Sequence, residues 1–443
     1  MTISGASFAA AGPEAEDIER QDPVLAERVR AHRDSFGTAA TLHYERPLEV
    51  ARGEGVYLFD AAGHRYLDLY NNVPSVGHGH PEVVSAIAAQ AATLNTPAHY
   101  LSNVVEQYAA RLLALFPAPL GNLVMTCTGS EANDLALRVA RAVTGRQGVI
   151  VTRAARHGTT AAALEISPFF CPEALPPYVR TVPAPDPAAA GCAPLGAWFA
   201  AQVREAALAL EESGAGVAAM ILDSVFVSDG VFTDPPGFLA EAVGALRTAG
   251  GLFIANEVQA GFGRTGTEFW GFARHGLVPD IVTLGKPMGN GYPMGGVVTS
   301  PAHLARFSRD VPYFSSFGAS PVAAAAGLAV LDVIEGEGLL RNAARIGDVL
   351  RKGLKTLAKT APRLGALRGA GLILGAEVID PETGAPDPDM ARRVVNLLRQ
   401  NFVLIGLAGR HGNVLKIRPP LCFGATHAAH FLEVLRAVLV SLD

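Results

Sequence analysis

Through its middle the chain repeats one pattern: short, nearly unbroken apolar runs separated by longer stretches whose apolar positions recur at helical spacing. The runs fall at residues 123–126, 148–152, 218–223, 251–256, 281–284 and 296–299, and one of the helical stretches is 238–249. A strand that is apolar at successive positions is covered on both faces, as parallel strands joined by crossover helices are. Residues 48–69 differ. There apolar and polar positions alternate between turn signals at Gly53, Gly55 and Gly63, which predicts a small antiparallel meander. Helices are predicted over 81–94, with Pro81 at the first position, over 339–357 and over 425–442, with glycine-punctuated strands between the last two. The predicted architecture is α/β. A large domain, residues 76–334, holds a mostly parallel sheet flanked by helices; a smaller α+β domain is assembled from both chain ends, residues 41–75 and 335–443. Residues 1–40, polar and alanine-rich with Pro13 and Pro23, are expected to form an N-terminal arm with one short helix. The stretch 183–194, rich in proline and alanine, is expected to be a surface loop.

Length and composition fit that plan. A chain of 443 residues exceeds the roughly 250–300 that one core serves. Hydrophobic residues at 49% supply the core, and charged residues at only 17% exclude disorder over most of the chain. A net charge of −5 without any basic run argues against nucleic-acid or polybasic membrane partners. Cys127, Cys171, Cys192 and Cys422 are widely spaced, which excludes a disulfide scaffold and a zinc ribbon. The N-terminus shows no basic start followed by an apolar run, and the longest apolar stretch, 321–331, is short of the about 20 residues that span a bilayer. A cytoplasmic location is expected.

Three segments carry chemistry. Thr128-Gly129-Ser130-Glu131-Ala132-Asn133 follows one apolar run and opens a helix reaching Val143. Free amides, a hydroxyl and the positive end of a helix dipole make this a phosphate site, or else Ser130 only caps the helix. Lys286 follows the run 281–284 and precedes Pro287-Met288-Gly289-Asn290-Gly291. A lysine at the C-terminal end of a parallel strand points into the crevice where α/β sheets bind ligands; desolvated there, it loses its proton readily and can form an imine with a carbonyl. Gly261-Phe262-Gly263-Arg264-Thr265-Gly266 matches a dinucleotide fingerprint in letters only, because four residues separate it from the preceding strand. A glycine-rich loop is the preferred reading. His78 and His80 lack a third ligand at useful spacing, so a turn is preferred to a metal site.

Taken in order, LDLYNNVPSVGHGHP, TGSEAND, NEVQAGFGRTG, TLGKPMGNGYP, FSSFGASP and IRPPL resemble the class III aminotransferases, pyridoxal-phosphate enzymes of fold type I. The resemblance runs from about residue 48 to the C-terminus. It is nearest to a branch that also includes amino-alcohol phosphate lyases. It implies pyridoxal 5'-phosphate as cofactor, held by Lys286 as a Schiff base, with Lys286 moving protons at the substrate Cα. Gly129, Ser130 and the Glu131 amide would bind the cofactor phosphate. Ser316 would reach that phosphate from the neighbouring subunit, which implies a homodimer with shared sites. Val258 would press on one face of the ring, Gln259 would approach its phenolic oxygen, and Arg418 would hold a substrate carboxylate or else form a salt bridge at the edge of the core. No metal is implied.

The chain departs from the family at the ring. Asn256 stands where the family has the Asp that pairs with the pyridine nitrogen. At about 4 Å and an effective dielectric near 20, the lost charge is worth on the order of 4 kcal/mol, or about three pKa units, which leaves the nitrogen largely unprotonated. Arg156, before His157, replaces an aromatic residue that stacks on the ring; its guanidinium is expected to stack instead and to disfavour a pyridinium further. Asp223 stands for the usual Glu, and Ser228 for a Glu of the 4-aminobutyrate enzymes. Amino transfer between an amine or amino acid and a keto acid or aldehyde is the leading expectation. A racemase, lyase or other non-transaminating reaction on the same scaffold is the alternative, favoured by Asn256 and Arg156. A non-catalytic cofactor-binding protein is a lesser one.

Overall fold

The computed structural model describes Ile18, residues 22–37 and residues 41–442. The rest of the expected N-terminal arm, and the start read for targeting signals, lie outside the described residues. Within the arm, Pro23–Phe36 is a helix whose cap, Asp22, accepts from the Leu25 N–H at 3.0 Å.

The alternating segment is the meander β1 (Val50–Glu54), β2 (Tyr57–Asp60) and β3 (Arg65–Asp68), antiparallel throughout. The six apolar runs become β4 (Asn122–Thr126), β5 (Gly148–Thr152), β7 (Val217–Asp223), β8 (Leu252–Asn256), β9 (Ile281–Leu284) and β10 (Gly295–Thr299), and a further strand, β6 (Val179–Val182), joins them. They form one sheet in the order β4-β10-β9-β8-β7-β5-β6. All pairs are parallel except the two made by β10, which runs against both β4 and β9. The reversal has a local cause. The loop from β9 to β10 carries no crossover helix, and a parallel neighbour needs one.

Alternate residues of β7 serve opposite faces. Ala219 and Ile221 pack with Leu135 and Val139 of the helix Gly129–Thr144, while Met220 and Leu222 pack in the core that holds Phe199, Val243 and Leu246. Both faces are therefore dry, and the strand reads as unbroken apolar sequence. The strand β6 was not expected. It lies at the sheet edge with two half-buried positions between prolines, so its sequence lacks that signature. The stretch 183–194 is also not all loop: Pro187–Ala190 forms one helical turn capped by Asp186.

The remaining strands are β11 (Leu364–Ala370), β12 (Ile373–Val378), β13 (Val403–Leu404), β14 (Gly406–Ala408) and β15 (Val414–Ile417). Four of them make an antiparallel sheet, β11-β12-β15-β14, while β13 lies parallel beside β3. The last helices run Leu339–Ala358, Pro388–Gln400 and Ala425–Val440. Among the described residues no helix is long and apolar enough to cross a membrane.

Candidate functional site

Strand register brings the chemistry together. Asp223 at the end of β7 is level with Asn256 at the end of β8, and Asn256 is level with Thr283 of β9, three residues before Lys286. These strand ends open on the crevice where α/β sheets bind ligands. Lys286 is half-buried, and its amine is lowered to about 8, first by burial and then by the Arg418 and Arg156 charges, against the pull of Asp223. A lysine so placed gives up its proton far more readily than an ordinary lysine, and near pH 8 about half of it is the neutral amine. The Asp223 carboxyl is raised to about 6 by burial, although Val225 and Val227 donate their N–H groups to it at 3.1 Å.

The loop after Lys286 is fixed from across the cleft. Asn290 accepts from the Val76 N–H at 2.9 Å and donates to the Gly77 carbonyl at 2.8 Å, and the Ser75 hydroxyl donates to the Pro287 carbonyl at 3.2 Å. The segment 70–78 is itself shaped by Asp68, whose carboxylate accepts from the amides of Tyr70 and Asn71 and pairs with His78 at 2.8 Å. His80 instead meets Glu337 at 3.0 Å, so the two histidines serve separate turns.

At the start of the helix Gly129–Thr144 the cap is Thr128, not Ser130. Its hydroxyl accepts the Glu131 N–H at 3.1 Å, so the amide expected to bind phosphate is already engaged. The Glu131 carboxylate meanwhile accepts from Cys127 N–H at 2.8 Å. Gly129 and Ser130 occupy the first two helical positions, whose amides have no partner within a helix. A Cβ on Gly129 would stand 3.0 Å from a Val258 methyl, and one on Gly158 would stand 2.5 Å from the Ser130 hydroxyl oxygen. Glycine at both positions keeps this cradle open.

Asn256 is buried and oriented by two neighbours. Its Oδ1 accepts the Val258 N–H at 3.1 Å, and its Nδ2 lies 2.9 Å from Nδ1 of His157. Burial lowers His157 to about 4, so its ring is neutral and Nδ1 accepts. His157 is held by its own N–H donating to the Ser167 hydroxyl at 2.8 Å and by Asn133 donating to its carbonyl at 2.6 Å. One Nδ2 hydrogen of Asn256 is thus committed to His157 and the other remains free to donate.

Glu257, wholly buried, turns away from the crevice. It accepts from Ser224 Oγ at 2.5 Å and from the amides of Gly271 and Phe272 at 2.7 and 2.9 Å, while burial raises it to about 7. Gln259 gives its carbonyl to the Arg418 guanidinium. Arg418, 2% exposed, also donates to the Tyr70 carbonyl at 3.1 Å and to Asn72 Oδ1 at 3.0 Å. Among the described residues it has no carboxylate partner, so the expected alternative of a core-edge salt bridge is set aside. Arg264, from the glycine loop, donates to the Pro419 carbonyl and locks the segment carrying Arg418.

Arg156 precedes His157 in the chain. Its side chain is exposed, and its guanidinium lies over the rings of Phe169 and Phe170, at 5.3 and 5.1 Å, which draw it to the mouth of the crevice. Ser316 is exposed and joins no described hydrogen bond of its own chain. Lys416 was missed. It sits on β15, two residues before Arg418, which lies just past the end of that strand, and that period-two spacing was the available signal.

An α/β sheet that places a lysine, an open glycine-lined helix start and a buried, oriented amide at its strand ends suits an enzyme whose cofactor carries an aldehyde and a phosphate. The chain belongs to the class III aminotransferase family, described as "Aminotransferase class-III", which matches residues 39–439. It is a fold-type-I enzyme, and its cofactor is pyridoxal 5'-phosphate. Over 431 residues it is 41% identical to an alanine–glyoxylate aminotransferase 2-like protein of Drosophila melanogaster, covering 94% of this chain and 87% of the fly protein. It is 33% identical to ethanolamine-phosphate phospho-lyase homolog 1 of Caenorhabditis elegans, over 96% of this chain and 95% of the worm protein. Among solved structures, a phospholyase from Arthrobacter in complex with phosphoethanolamine superposes with a TM-score of 0.90 at 40% identity, covering 94% of this chain and all of that one.

The residues present fit the cofactor. The open cradle at Gly129 and Ser130 suits a phosphate, the free Nδ2 hydrogen of Asn256 suits an unprotonated ring nitrogen, and the Lys286 amine suits an aldehyde.

Proposed function

We propose that the chain moves an amino group between an anionic amine or amino acid and a keto acid or aldehyde. The observation that carries this is Lys286, poised as an amine near pH 8 between the strand ends and the buried, carboxylate-free Arg418. Bound pyridoxal phosphate supplies the carbonyl and the electron sink. Lys286 holds the cofactor and carries the proton to and from the substrate Cα. Gly129 and Ser130 bind the phosphate, Val258 packs beside it, Asn256 faces the ring nitrogen, and His157 keeps Asn256 oriented. Asp223, charged near neutrality, supports a cationic Lys286, while Glu131 shapes the turn behind the cradle through Cys127. Gln259 and Arg418 receive the substrate anion. One turnover with excess amine, followed by analysis of the released cofactor, tests the reaction: only amino transfer leaves it aminated.

A second reading, elimination from an amino-alcohol phosphate, is favoured by Asn256. The hydrogen bonds around it leave one Nδ2 hydrogen to donate, which would suit an unprotonated ring nitrogen and a weakened electron sink. The Arthrobacter and worm relatives carry phospholyase names. Release of inorganic phosphate with an unaltered cofactor selects this reading over the first.

The active unit is proposed to be a homodimer with shared sites and two domains per chain. Supporting this, Tyr100, Leu101, Phe314 and Phe317 are exposed around Ser316, and His99 stacks on Phe314 at 4.2 Å to join the two segments into one apolar patch. Mixing inactive Lys286→Ala with inactive Ser316→Asp subunits should regenerate complete sites; no recovery on exchange sinks the shared-site arrangement. A cytoplasmic location is proposed on its four free cysteines. Fractionation of cells expressing the native chain tests it, and enrichment in an organelle would overturn it.

A further inference from the structure

Lys416 and Arg418 project from the same face at the end of β15, and both approach one aromatic ring. Lys416 Nζ lies 5.4 Å from the Tyr70 centroid and Arg418 Cζ lies 5.9 Å from it. Space for this is made by Gly406, the β14 partner of Lys416. A Cβ there would stand 2.8 Å from the Tyr70 ring and 3.4 Å from Lys416 Cε. Among the described residues neither cation has a carboxylate partner. Lys416 is half-buried, and its amine is held well below the ordinary lysine range, first by burial and then by the Arg418, Arg156 and Lys286 charges; Asp223 acts in the opposite sense. His43, 5.0 Å from Tyr70 ring to ring, completes the same wall. Its own pKa is lowered by desolvation and then by Lys416 and Arg156.

No carboxylate pairs directly with either cation among the described residues, although the charges of Asp68 and Asp223 act on Arg418 and that of Asp223 on Lys416; a ligand anion bound between the two would favour the protonated Lys416 amine. One carboxylate would satisfy Arg418 and leave Lys416 uncompensated. A dianion with three oxygens can engage the planar guanidinium and the point-like ammonium together. We propose that Lys416 and Arg418 form a substrate site for a phosphomonoester dianion, making Lys416 a specificity-determining residue. This rests on the reading of the crevice as an amine-processing site. It applies to amino transfer and to elimination alike.

The test uses cofactor-loaded protein, whose cofactor-phosphate cradle is already filled, and two unreactive probes matched in length, ethylphosphonate and propionate. Calorimetric titration at pH 8 should show ethylphosphonate binding at least tenfold tighter than propionate. Lys416→Met should weaken ethylphosphonate at least tenfold and propionate less than threefold, and Lys416→Arg should recover most of the loss. Equal weakening of both probes, no weakening, or a wild type that prefers propionate overturns the proposal. The underlying reading is checked separately on wild type with an amine panel: protein that binds ethylphosphonate but leaves every amine unreacted refutes amine processing and leaves the anion site standing.

Discussion

Replacing Asn256 by Asp tests the proton inventory of the site. The substitution preserves shape but puts a carboxylate where Nδ2 now sits 2.9 Å from His157 Nδ1. Across that separation at an effective dielectric near 20, a unit charge is worth about 6 kcal/mol, on the order of four pKa units. His157, lowered to about 4 by burial in the native chain, should rise toward neutrality, and its Nδ1 must change from acceptor to donor. The ring nitrogen of the cofactor should gain about three pKa units from the same charge. Histidine-labelled NMR reads the first effect without any substrate: His157 should stay neutral to below pH 5 in the native protein and titrate at least two units higher in Asn256→Asp. The amine half-reaction reads the second and should be faster in the variant. Linkage supplies a third sign. A histidine whose folded pKa is depressed lends stability above its unfolded value of about 6.5, and that stability is lost as pH falls from there toward 4, about 3 kcal/mol in all. Raising the folded pKa removes this loss, so acidification from pH 7 to 5 should cost Asn256→Asp less melting temperature than the native protein. An unchanged His157 titration together with an unchanged half-reaction would refute the idea that position 256 sets these protons.

Further outcomes follow from single contacts. Glu257→Ala strands three donors, the Ser224 hydroxyl and the amides of Gly271 and Phe272, and should lower stability by about 3–5 kcal/mol in denaturant melts; a loss under 1 kcal/mol contradicts the structural role given to Glu257. Gly266→Ala must place a methyl 2.5 Å from the Ala344 amide nitrogen at a φ of +80°, with an expected cost of about 3 kcal/mol in the same measurement; no shift in the melt contradicts this. Arg418→Ala should raise KM for anionic amines at least a hundredfold while raising it far less for a simple amine, and equal losses would assign the arginine to structure.

What the sequence revealed depended on whether one residue's environment was local. The strands β5 and β7 were legible because both their faces are dry, so every position had to be apolar; β6 was not, because an edge strand needs no such run. Lys286 was legible because a strand end is a local feature, whereas Asn256 drew notice only through its place in the NEVQ segment that carries the resemblance. The engagement of the Glu131 amide was not, since Thr128 and Ser130 both have hydroxyls and only the chain path decides which one caps. The contacts of Arg156 were not legible for a tertiary reason: the rings of Phe169 and Phe170, thirteen and fourteen residues along, lie under its guanidinium. Lys416 looks like an ordinary lysine until Tyr70, distant in sequence, closes over it.

Two features of the proposed site, Asn256 and Lys416, would act on different parts of one reaction. On the proposed reading, Asn256 with a neutral His157 would weaken the electron sink, which disfavours any step that needs negative charge held at Cα. Lys416 beside Arg418 would do the complementary work in the substrate. Cations that select a phosphomonoester also stabilise the extra charge that collects on phosphate as a Cβ–O bond breaks, and only interactions stronger in the transition state accelerate the step. Each feature alone should tilt an amino-alcohol phosphate toward phosphate release, and together they should tilt it further. The double variant Asn256→Asp/Lys416→Met, fed O-phosphoethanolamine, should therefore give a lower ratio of released phosphate to aminated cofactor than either single variant, and each single variant a lower ratio than the native protein. Phosphate and cofactor measured in the same quenched samples decide it. A native protein that releases no phosphate removes elimination from consideration, and a ratio identical in all four proteins refutes the division of labour between ring and substrate anion.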